Sequence, residues 1–486
     1  MIAVAIVAST TKEALEDIRS ASKSADVIEL RLDYIKKPDL EILLARRIKP
    51  AIITFRRKDE GGKSDIKEED RIKLLEKAIN LGADFIDIEL STDPILLKRL
   101  INKAKGTQTR IIISYHNFRE TSQGEIIEKY NKIKKLNPDI IKIVVFANSI
   151  NDNKAIFDLI IKAKDENKKI IAFCMGERGE ISRILTTLFG GQMTFASLTK
   201  GKESAPGQLD IATLKNVYRI DKLKNAGVYG LVGNPVKHSK GFIVHNKAFD
   251  KLKLNNIYIN FLVEDLKSFI ENFKQYLSGL SITIPFKTEI MGYLDGVDKI
   301  ARKIGAVNTV IKKGEKLIGY NTDVTGALKA IEKRIKVKGK KVLMIGAGGV
   351  ARAIAFGIVS KGGNLIILNR TVSKARKLAD ELKCDYGDLD KMKGLKGVDI
   401  IINATSIGMH PDVNKTPISK DVLRKIINKK TVVFDSVYNP IMTKLLKEAK
   451  TFKCKIIAGV EMFVNQAAEQ FKLFTGRKWQ NEISSW

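Results

Sequence analysis

The sequence predicts an α/β protein in two parts: a (β/α)8 TIM barrel, followed by a two-lobed α/β region that contains a Rossmann dinucleotide-binding domain. Three observations predict it. Eight apolar β-rich runs alternate with helix-like segments in the first part of the chain. A polar stretch ending in glycine, 221–227, divides the 486 residues almost in half. Beyond it, a glycine-rich loop joins an apolar run to an alanine-rich, helix-like run. Since a single core stops growing at about 250–300 residues, we expect at least two domains.

The composition, with 44% hydrophobic and 29% charged residues, is typical of an ordinary soluble protein. Cys174, Cys384 and Cys454 lie far apart, which argues against a disulfide framework and a structural zinc site, so we expect no metal. The apolar segment 1–8 has no basic residues before it and predicts a first strand rather than a signal peptide. No apolar run has the length of a membrane span. We therefore expect a cytoplasmic protein.

Among the overall properties of the composition, the net charge of +31 is the unusual one. A nucleic-acid-binding protein would explain it. However, the lysines are spread through every helix-like segment, with neither an arginine-rich tail nor interleaved aromatic residues. A lysine-rich composition that attracts small anionic substrates explains the charge better. We predict small-molecule substrates and no nucleic-acid or membrane partner; the oligomeric state stays open, with a homodimer as one option.

The first half contains eight strand-like runs that read as nearly continuous apolar sequence, as in a parallel sheet buried on both faces. They are 2–7, 27–32, 51–55, 85–90, 111–115, 140–146, 170–175 and 193–198. Helical spacing fills segments such as 67–81 and 124–136. In such barrels the chemistry lies at the carboxyl ends of the strands.

Polar residues stand at those predicted strand ends. Glu29 and Arg31 end the second strand, Arg56 ends the third, and Glu60 lies in the loop after it. His116 ends the fifth strand. Alone, a histidine in this position is more often a core residue with satisfied hydrogen bonds than a catalytic one.

Lys142 lies inside the sixth strand, among β-branched residues. If its side chain points into the barrel, desolvation favours the neutral amine, which can form an imine. The alternative is a lysine that extends from the strand end to solvent. His116, one strand earlier and expected at the same barrel level, favours catalysis.

Six motifs in this order resemble type I 3-dehydroquinate dehydratase over residues 1–221: IELRLD, TFRRKDEGG, SYHNF, IIKIVV, MGERGEISR and SAPGQ. The resemblance implies that Lys142 forms a Schiff base with the substrate ketone. It implies that His116 is the general acid/base and that Glu60 orients it. The substrate contacts that it implies are Glu29, Arg31, Arg56, Arg183, Ser204 and Gln208. The chemistry agrees, because a carboxylate suits the arginine fork and dehydration beside a ketone needs a base and an electron sink.

After 221–227, polar residues again end apolar runs, as at the crevice outside the strand ends of an α/β sheet. GLSITIPFK and GYNTD supply the two ionisable candidates, Lys287 and Asp323. Taken separately, Lys287 would be a surface lysine and Asp323 a helix N-cap.

The run KVLMIGAGGVARAIAF places Gly346, Gly348 and Gly349 between a strand and a helix. That context predicts a pyrophosphate site made of backbone N–H groups and a helix N-terminus. The next strand, 365–368, ends in NRT, where an NAD site would place an acidic residue. Arg370, with Lys374 one turn on, suits a ribose 2′-phosphate, so we predict NADP rather than NAD.

Seven further motifs, together with the glycine loop, resemble shikimate dehydrogenase across residues 227–480: GNPVKHS, IPFK, GAVNTV, NTD, NATSIGM, DSVYNP and GVEMFVNQAA. The resemblance implies that Lys287 and Asp323 form the catalytic pair, with the lysine passing a proton as hydride reduces a ketone. The substrate contacts that it implies are Ser239, Thr283, Asn308, Tyr438 and Gln466. The NADP contacts that it implies are Gly346, Ala347, Gly348, Gly349, Val350, Asn369, Arg370, Thr371, Lys374, Thr405, Ser406, Met409 and Gly459.

One position departs from the second family. The family writes His-Ser-x-Ser-Pro, whereas this chain has HSKGF at 238–242, so Gly241 replaces a hydroxyl expected near the substrate carboxylate. We expect weaker substrate binding, unless Lys237 or Lys240 already supplies a cation to that carboxylate. A further alternative is that glycine is required there by a left-handed backbone.

Together the resemblances predict a bifunctional enzyme of aromatic amino acid biosynthesis, on the shikimate (chorismate) pathway. It would dehydrate 3-dehydroquinate to 3-dehydroshikimate and reduce that to shikimate with NADPH. The predicted domains are the dehydratase barrel 1–221, a substrate-binding domain 227–325, the Rossmann domain 326–458, and a C-terminal helix 459–486 that returns to the substrate domain. Two alternatives stay open: a second half that acts on quinate with NAD, or a basic binding protein with a decayed reductase half.

Overall fold

The computed structural model describes residues 1–237 and 239–478. His238 and the predicted helical residues 479–486 lie outside them. Within the chain, contacts define two compact units. Unit 1 comprises Met1–Val228 and Val236–Tyr276, and unit 2 comprises Tyr229–Pro235 and the chain from Leu277. These units do not coincide with the predicted domains, whose bounds stay a prediction.

Unit 1 contains a barrel of eight parallel strands. They are β1 Ile2–Ile6, β2 Val27–Arg31, β3 Ala51–Thr54, β4 Phe85–Glu89, β5 Arg110–His116, β6 Ile140–Phe146, β7 Ile170–Met175 and β8 Thr194–Ser197. Their order is β7-β6-β5-β4-β3-β2-β1-β8. The eight predicted strands are confirmed, each to within one residue at either end.

Helices alternate with the barrel strands. They are α1 Thr11–Ala21, α2 Leu40–Ala45, α3 Glu68–Asn80, α4 Pro94–Ala104, α5 Gln123–Lys135, α6 Asn153–Asp165 and α7 Glu180–Phe189. Local sequence sets their starts. The Asp93 side chain, for example, accepts hydrogen bonds from the backbone N–H groups of Ile95 and Leu96, and Pro94 occupies the first helical turn. A π-helical segment, Thr213–Tyr218, follows β8.

Apolar side chains fill the barrel near the starts of its strands, and polar side chains occupy the level above them. The lower core includes Ala3, Val27, Ile52, Phe85 and Ile112. Because successive strand residues alternate between faces, inward positions nearer the carboxyl ends remain available for polar groups. The barrel is therefore a packed support with a site at its upper end.

A second segment of unit 1 packs on the outside of the barrel. It contains α8 Gly241–Lys251, the strand Asn256–Leu262 and α9 Leu266–Phe273. Phe157 of α6 makes edge contacts with the Phe189 and Phe273 rings, at centroid distances of 4.8 and 6.2 Å. The Tyr276 hydroxyl donates to Asp158 Oδ1 at 2.8 Å. This aromatic cluster attaches 236–276 to the barrel helices.

Unit 2 begins with a small mixed sheet. Five of the six strands of this sheet are Gly227–Gly233, Gly279–Ile282, Gly296–Val297, Thr309–Lys313 and Lys316–Tyr320. The first two pair in parallel, and the fourth pairs antiparallel with the second and the fifth. Two helices accompany the sheet, α10 Lys299–Ile304 and α11 Asp323–Glu332.

The rest of unit 2 is a Rossmann fold, as predicted. In spatial order its six strands are Asp385–Gly387, Asn364–Leu368, Lys341–Ile345, Val398–Asn403, Ile427–Asp435 and Lys455–Ile457, all parallel. In chain order this is the 3-2-1-4-5-6 arrangement of doubly wound sheets. Its helices are α12 Gly349–Ser360, α13 Val372–Leu382, α14 Lys420–Ile426, α15 Lys444–Thr451 and α16 Gly459–Thr475.

Helix α16 packs back against the small sheet of unit 2. Gln470 accepts a hydrogen bond from the Ser281 hydroxyl at 3.0 Å and donates to the Asn308 carbonyl at 3.0 Å. The Tyr229 hydroxyl donates to the Phe474 carbonyl at 3.1 Å. Among the described helices, none is both long and apolar enough to cross a membrane.

Candidate active sites

A cavity lies at the carboxyl ends of the barrel strands. All nine side chains predicted for the first site line it: Glu29, Arg31, Arg56, Glu60, His116, Lys142, Arg183, Ser204 and Gln208. We call this the barrel site. Residues from six strand ends or the loops after them thus meet in one place, as expected for parallel strands closed into a barrel.

Lys142 points into the barrel and is 3% exposed, so it does not extend to solvent. Its Nζ donates to Asp87 Oδ2 at 2.7 Å, lies 3.6 Å from Glu29 Oε1, and stands over the Phe195 ring at 4.3 Å. The expectation that His116 lies at the same barrel level as Lys142 is wrong: His116 lies two residues further along its strand than the residue paired with Lys142. The strand register pairs Lys142 with Ser114 and places His116 beside Val144, one inward-facing step higher.

His116 and Glu60 form a pair above the lysine. His116 Nδ1 is 3.1 Å from Glu60 Oε2, which also accepts the His116 backbone N–H at 3.0 Å. The Ser91 hydroxyl donates to Glu60 Oε1 at 2.5 Å. Burial and the nearby Glu89 carboxylate raise the pKa of Glu60 to about 7. Burial, with the Arg56 and Lys142 cations, lowers the pKa of His116 well below its ordinary value. The imidazole is therefore neutral near pH 7 and able to accept a proton.

Three partners of the barrel site were missed by sequence reasoning. Arg56 donates to Asp87 Oδ2 at 2.8 Å and, through one nitrogen, to Glu89 Oε1 and Ser114 Oγ, both at 2.7 Å. For two of these partners the sequence of β4 contained an indication. Asp87 and Glu89 are two residues apart in an otherwise apolar strand, so both lie on one face of it.

Arg183 differs from the other cavity arginines. Arg31 pairs with Asp33 at 2.8 Å, and Arg56 has its two carboxylates. Among the described residues, Arg183 has no carboxylate partner within ion-pair distance and its buried Nε has no hydrogen-bond partner. Burial lowers the pKa of Arg183 to about 10, so it remains a cation at neutral pH. It is the cavity arginine with charge available for an anionic ligand.

The loop after β8 closes the barrel site on one side. Gln208 Oε1 accepts hydrogen bonds from the Ser204 backbone N–H at 2.7 Å and the Ser204 hydroxyl at 3.2 Å. Lys202 fastens the same loop to α1 through both oxygens of Asp17, at 2.8 and 2.6 Å. The loop thus presents the two predicted ligand residues as one hydrogen-bonded turn.

A second site lies in unit 2, around Lys287 and Asp323. Lys287 Nζ is 2.5 Å from Asp323 Oδ2, and the two residues are 8% and 4% exposed. Lys287 is therefore not a surface lysine. Asp323 is the first residue of α11, and Thr322 is the N-cap. The Asp323 carboxylate thus lies at the N-terminal end of the helix.

Asn308 joins the elements that carry this pair. Its Nδ2 donates to Asp323 Oδ1 and Thr322 Oγ1, both at 2.9 Å, and lies 3.3 Å from Gln466 Oε1. Its Oδ1 accepts the Thr322 backbone N–H at 2.8 Å. Thr322 was not predicted. Asn308 thus fixes the orientation of Asp323, which in turn holds the amine of Lys287.

The glycine loop lies beside Lys287. A Cβ at Gly349 would be 3.4 Å from the Lys287 side chain, and one at Gly346, with φ +117°, would be 2.7 Å from the Ala404 carbonyl oxygen. A Cβ at Gly348 would meet nothing within 4 Å. The loop therefore needs glycine at position 346, and it leaves open space at the N-terminus of α12, as a pyrophosphate requires. Ala347 and Val350 belong to the same turn.

Arg370 and Lys374 flank the start of α13, and both are exposed. Neither forms an ion pair within the described part of the chain. Asn369 Nδ2 donates to the Thr371 carbonyl at 2.9 Å, which shapes the turn after the strand. Two adjacent cations without carboxylate partners fit the extra phosphate of NADP.

Other predicted cofactor positions line neighbouring strand ends. Asn403 Oδ1 accepts both the backbone N–H and the hydroxyl of Thr405, at 3.1 and 2.7 Å. Ser406 and the 42% exposed Met409 follow in that loop. A Cβ at Gly459, the first residue of α16, would be 2.4 Å from the Val437 carbonyl oxygen, so only glycine fits.

The remaining predicted substrate residues are dispersed. The Thr283 N–H donates to the Val232 carbonyl at 2.9 Å, and the Tyr438 ring stacks on Phe463 at 5.1 Å. Ser239 belongs to unit 1, where its Oγ accepts the Gly241 N–H at 3.2 Å. The contact of Ser239 with the substrate stays a prediction.

Gly241 is the first residue of α8 and is absent from the positive-φ positions, so the left-handed alternative is wrong. A Cβ there would lie 3.4 Å from Ser239 Oγ and 3.6 Å from the Tyr258 hydroxyl, which are ordinary contact distances. A serine fits at this position.

The chain matches four protein-family models in succession. Residues 2–225 match type I 3-dehydroquinase, and residues 231–310 match the shikimate dehydrogenase substrate binding domain. Residues 328–445 match shikimate/quinate 5-dehydrogenase, and residues 459–478 match the shikimate 5′-dehydrogenase C-terminal domain.

Individual proteins resemble the chain in whole or in part. The bifunctional 3-dehydroquinate dehydratase/shikimate dehydrogenase, chloroplastic, of Arabidopsis thaliana is 38% identical over 501 residues, covering 98% of this chain and 82% of that protein. The shikimate dehydrogenase (NADP(+)) of Methanocaldococcus jannaschii is 47% identical over 261 residues, covering 51% of this chain and 91% of that protein. A crystal structure of shikimate dehydrogenase in complex with NADP+ is 43% identical, covers 53% of this chain and 93% of its own, and has a TM-score of 0.50.

Proposed function

This chain belongs to the family of bifunctional 3-dehydroquinate dehydratase/shikimate dehydrogenase proteins, and from that membership we propose which of its residues carry out the two reactions. It is a two-activity enzyme of the shikimate pathway. A lyase activity dehydrates 3-dehydroquinate to 3-dehydroshikimate, and an NADP-dependent oxidoreductase activity reduces that product to shikimate.

Dehydration takes place at the barrel site, with Lys142 as the covalent catalyst. Its amine attacks the ketone of 3-dehydroquinate, and loss of water leaves an imine on Nζ. The imine withdraws electrons from the neighbouring carbon and so acidifies its C–H bond. Burial of Lys142 inside the barrel supports this role, because it keeps the imine away from bulk water.

His116 moves the protons. With Glu60 ionised, the Nδ1–H group donates to Oε2, and the lone pair of Nε2 is free to take the carbon-bound proton. The resulting imidazolium returns a proton to the departing hydroxyl, which leaves as water. Hydrolysis of the imine then releases 3-dehydroshikimate and regenerates the amine.

Substrate binding is assigned to the rest of the cavity. Arg183, a buried cation that has no carboxylate partner in the described part of the chain, takes the substrate carboxylate. Glu29, Arg31, Arg56, Ser204 and Gln208 contact the ring hydroxyls and the carboxylate. The observation that carries the assignment is the placement of Lys142 at the base of this cavity with the His116–Glu60 pair above it.

Reduction takes place at the second site. NADPH, when bound at the glycine loop, supplies the hydride. Lys287 donates a proton to the carbonyl oxygen as it is reduced, and Asp323 holds the amine in position at 2.5 Å. Thr283, Asn308, Tyr438, Gln466 and Ser239 are assigned to the substrate. The contact distance between the Gly349 position and Lys287 supports an arrangement in which the proton donor borders the cofactor.

The cofactor is NADP. We assign the pyrophosphate to Gly346, Ala347, Gly348, Gly349 and Val350, and the 2′-phosphate to Arg370 and Lys374. Asn369, Thr371, Thr405, Ser406, Met409 and Gly459 complete the assigned contacts.

The organisation of the chain is also part of the proposal. The functional domains are 1–221, 227–325, 326–458 and 459–486, and the four matched ranges support these bounds. A cytoplasmic location fits the three free cysteines, since reducing compartments keep thiols reduced. A homodimer is an option that sedimentation of the purified protein tests.

A coupled assay tests the whole assignment. With 3-dehydroquinate as the only substrate, the enzyme should oxidise NADPH after a lag that vanishes when 3-dehydroshikimate is supplied instead. Sodium borohydride should trap substrate on Lys142 in the wild-type protein. Quinate with NAD is the alternative pair, and faster turnover of that pair would overturn the assignment of the second site.

A further inference from the structure

Asp87 is the immediate partner of the Schiff-base lysine, yet its side chain does not line the barrel site. The residue is 0% exposed in β4. Its Oδ2 accepts hydrogen bonds from Lys142 Nζ at 2.7 Å and Arg56 Nη2 at 2.8 Å, and its Oδ1 accepts the Ser114 hydroxyl at 2.6 Å. Asp87 therefore reaches the substrate only through other side chains.

The charge on Asp87 is secured by its neighbours. Burial alone would raise the pKa of this carboxyl, but the Arg56 and Lys142 cations outweigh burial and hold it below its ordinary value. The second carboxylate near the amine, Glu29, is 3.6 Å away and also accepts a hydrogen bond from Thr54 at 3.0 Å. Asp87 is thus the closer and better-fixed anion.

We propose that Asp87 is the counter-ion of Lys142 Nζ throughout imine formation, and so a positioning residue for the dehydration. The inference rests on the proposed Schiff-base role of Lys142. In the net step, the lysine ammonium and the ketone give a protonated imine and one water molecule. The nitrogen carries one positive charge at the start and at the end. A fixed carboxylate at 2.7 Å stabilises both species and keeps the imine protonated, which is the form that withdraws electrons most strongly.

A different role would leave Lys142 unaffected: Asp87 could merely hold Arg56, a substrate-binding residue. Glu89 provides the matched control. Its Oε1 is 2.7 Å from Arg56, as close as Asp87 is, and among the described residues its ion pairs are with Arg56 and Arg71 rather than with Lys142. Removing either carboxylate weakens the support of Arg56, but only Asp87 contacts the amine.

The test compares Asp87→Asn with Glu89→Gln in the full chain. Asp87→Asn should lower kcat for dehydration on the order of a hundredfold, because it removes one member of a buried ion pair. Its KM should rise no more than that of Glu89→Gln, since both carboxylates support Arg56, and borohydride-trapped adduct, measured by intact mass, should accumulate more slowly. Glu89→Gln should act mainly on KM and trap adduct at nearly the wild-type rate. Reduction of 3-dehydroshikimate measures the amount of active protein in each sample.

Several outcomes overturn the inference. Wild-type kcat and trapping in Asp87→Asn would do so, as would a shared KM defect in both variants with normal trapping. If Asp87→Asn unfolds early, Asp87→Glu decides, since it keeps the charge: a folded Asp87→Glu that traps adduct supports the inference, and a folded Asp87→Glu that traps no adduct overturns it. Absence of adduct on Lys142 in the wild-type enzyme would instead refute the Schiff-base assignment itself.

Discussion

The two lysines that we propose as catalytic have contrasting surroundings. Lys142 projects from the middle of a barrel strand into a buried network that contains Asp87, Glu29 and Arg56. Lys287 follows a short strand of a mixed sheet and, among the described residues, pairs with one carboxylate, that of Asp323 at the start of a helix. A lysine that forms a covalent bond must be held through several charge states. A lysine that donates one proton needs only a single oriented partner. The amount of surrounding charge thus follows the number of steps that each amine takes part in.

The largest effects should come from replacing Lys142 and Lys287 with alanine, each in its own variant. Lys142→Ala should lower dehydration on the order of 10⁴-fold, because no other group forms the imine. Lys287→Ala should lower reduction by about 10²–10⁴-fold, the usual contribution of a general acid. Each variant should keep the other activity near wild type. Loss of both activities in a folded variant would show that the two sites are not independent.

A smaller loss should follow Arg370→Ala. A charge-assisted contact to phosphate contributes about 1.5–3 kcal/mol, so kcat/KM with NADPH should fall roughly ten- to a hundredfold. The value with NADH should hardly change. Arg376→Ala is the matched control, since Arg376 is an exposed arginine in α13, the helix that begins just after Arg370, and it pairs with Asp380 at 3.7 Å. Equal losses with both cofactors would contradict the 2′-phosphate assignment.

The pH dependence should separate the sites further. Glu60, with a pKa of about 7, gains a proton as the pH falls through that value and then no longer accepts the Nδ1–H of His116. The kcat/KM for dehydration should therefore decrease about tenfold per pH unit below 7. Glu60→Gln should be slower and lack this acidic limb. If the pH profile of Glu60→Gln keeps the acidic limb, that limb belongs to the titration of another group.

The smallest effect should follow Gly241→Ser. A restored hydroxyl near the substrate carboxylate is worth about 1.5 kcal/mol, so KM for shikimate should fall up to roughly tenfold with kcat little changed. Gly241→Ala, which adds the Cβ without the hydroxyl, should leave KM unchanged. The melting temperature should stay constant in both, because a Cβ makes only ordinary contacts there. An unchanged KM in Gly241→Ser would mean that the missing hydroxyl does not matter.

Sequence reasoning predicted the eight barrel strands and the polar residues at or near their ends, because continuous apolar runs mark buried strands and polar residues stand out against them. Arg183, Ser204 and Gln208 were predicted only from the family resemblance. It did not predict Asp87 or Ser114 as partners of Lys142 and Arg56. Those pairings depend on the strand register, which fixes the level of each side chain and which no local pattern specifies. The same limit explains the error in the relative height of His116. Thr322 was missed because its contact with Asn308 joins a strand to a distant helix start.

The aromatic cluster of Phe157, Phe189, Phe273 and Tyr276 has a consequence for dividing the polypeptide. A cut within 221–227 looks, on the sequence, like a clean separation of two enzymes. However, a fragment that stops there lacks 236–276, and the barrel helices would expose the apolar surface that Phe273 and Tyr276 cover. A nicked chain would keep that surface covered, whereas a truncated gene would produce a barrel prone to aggregate. The fusion of the two enzymes is thus built into packed side chains as well as into the continuous backbone.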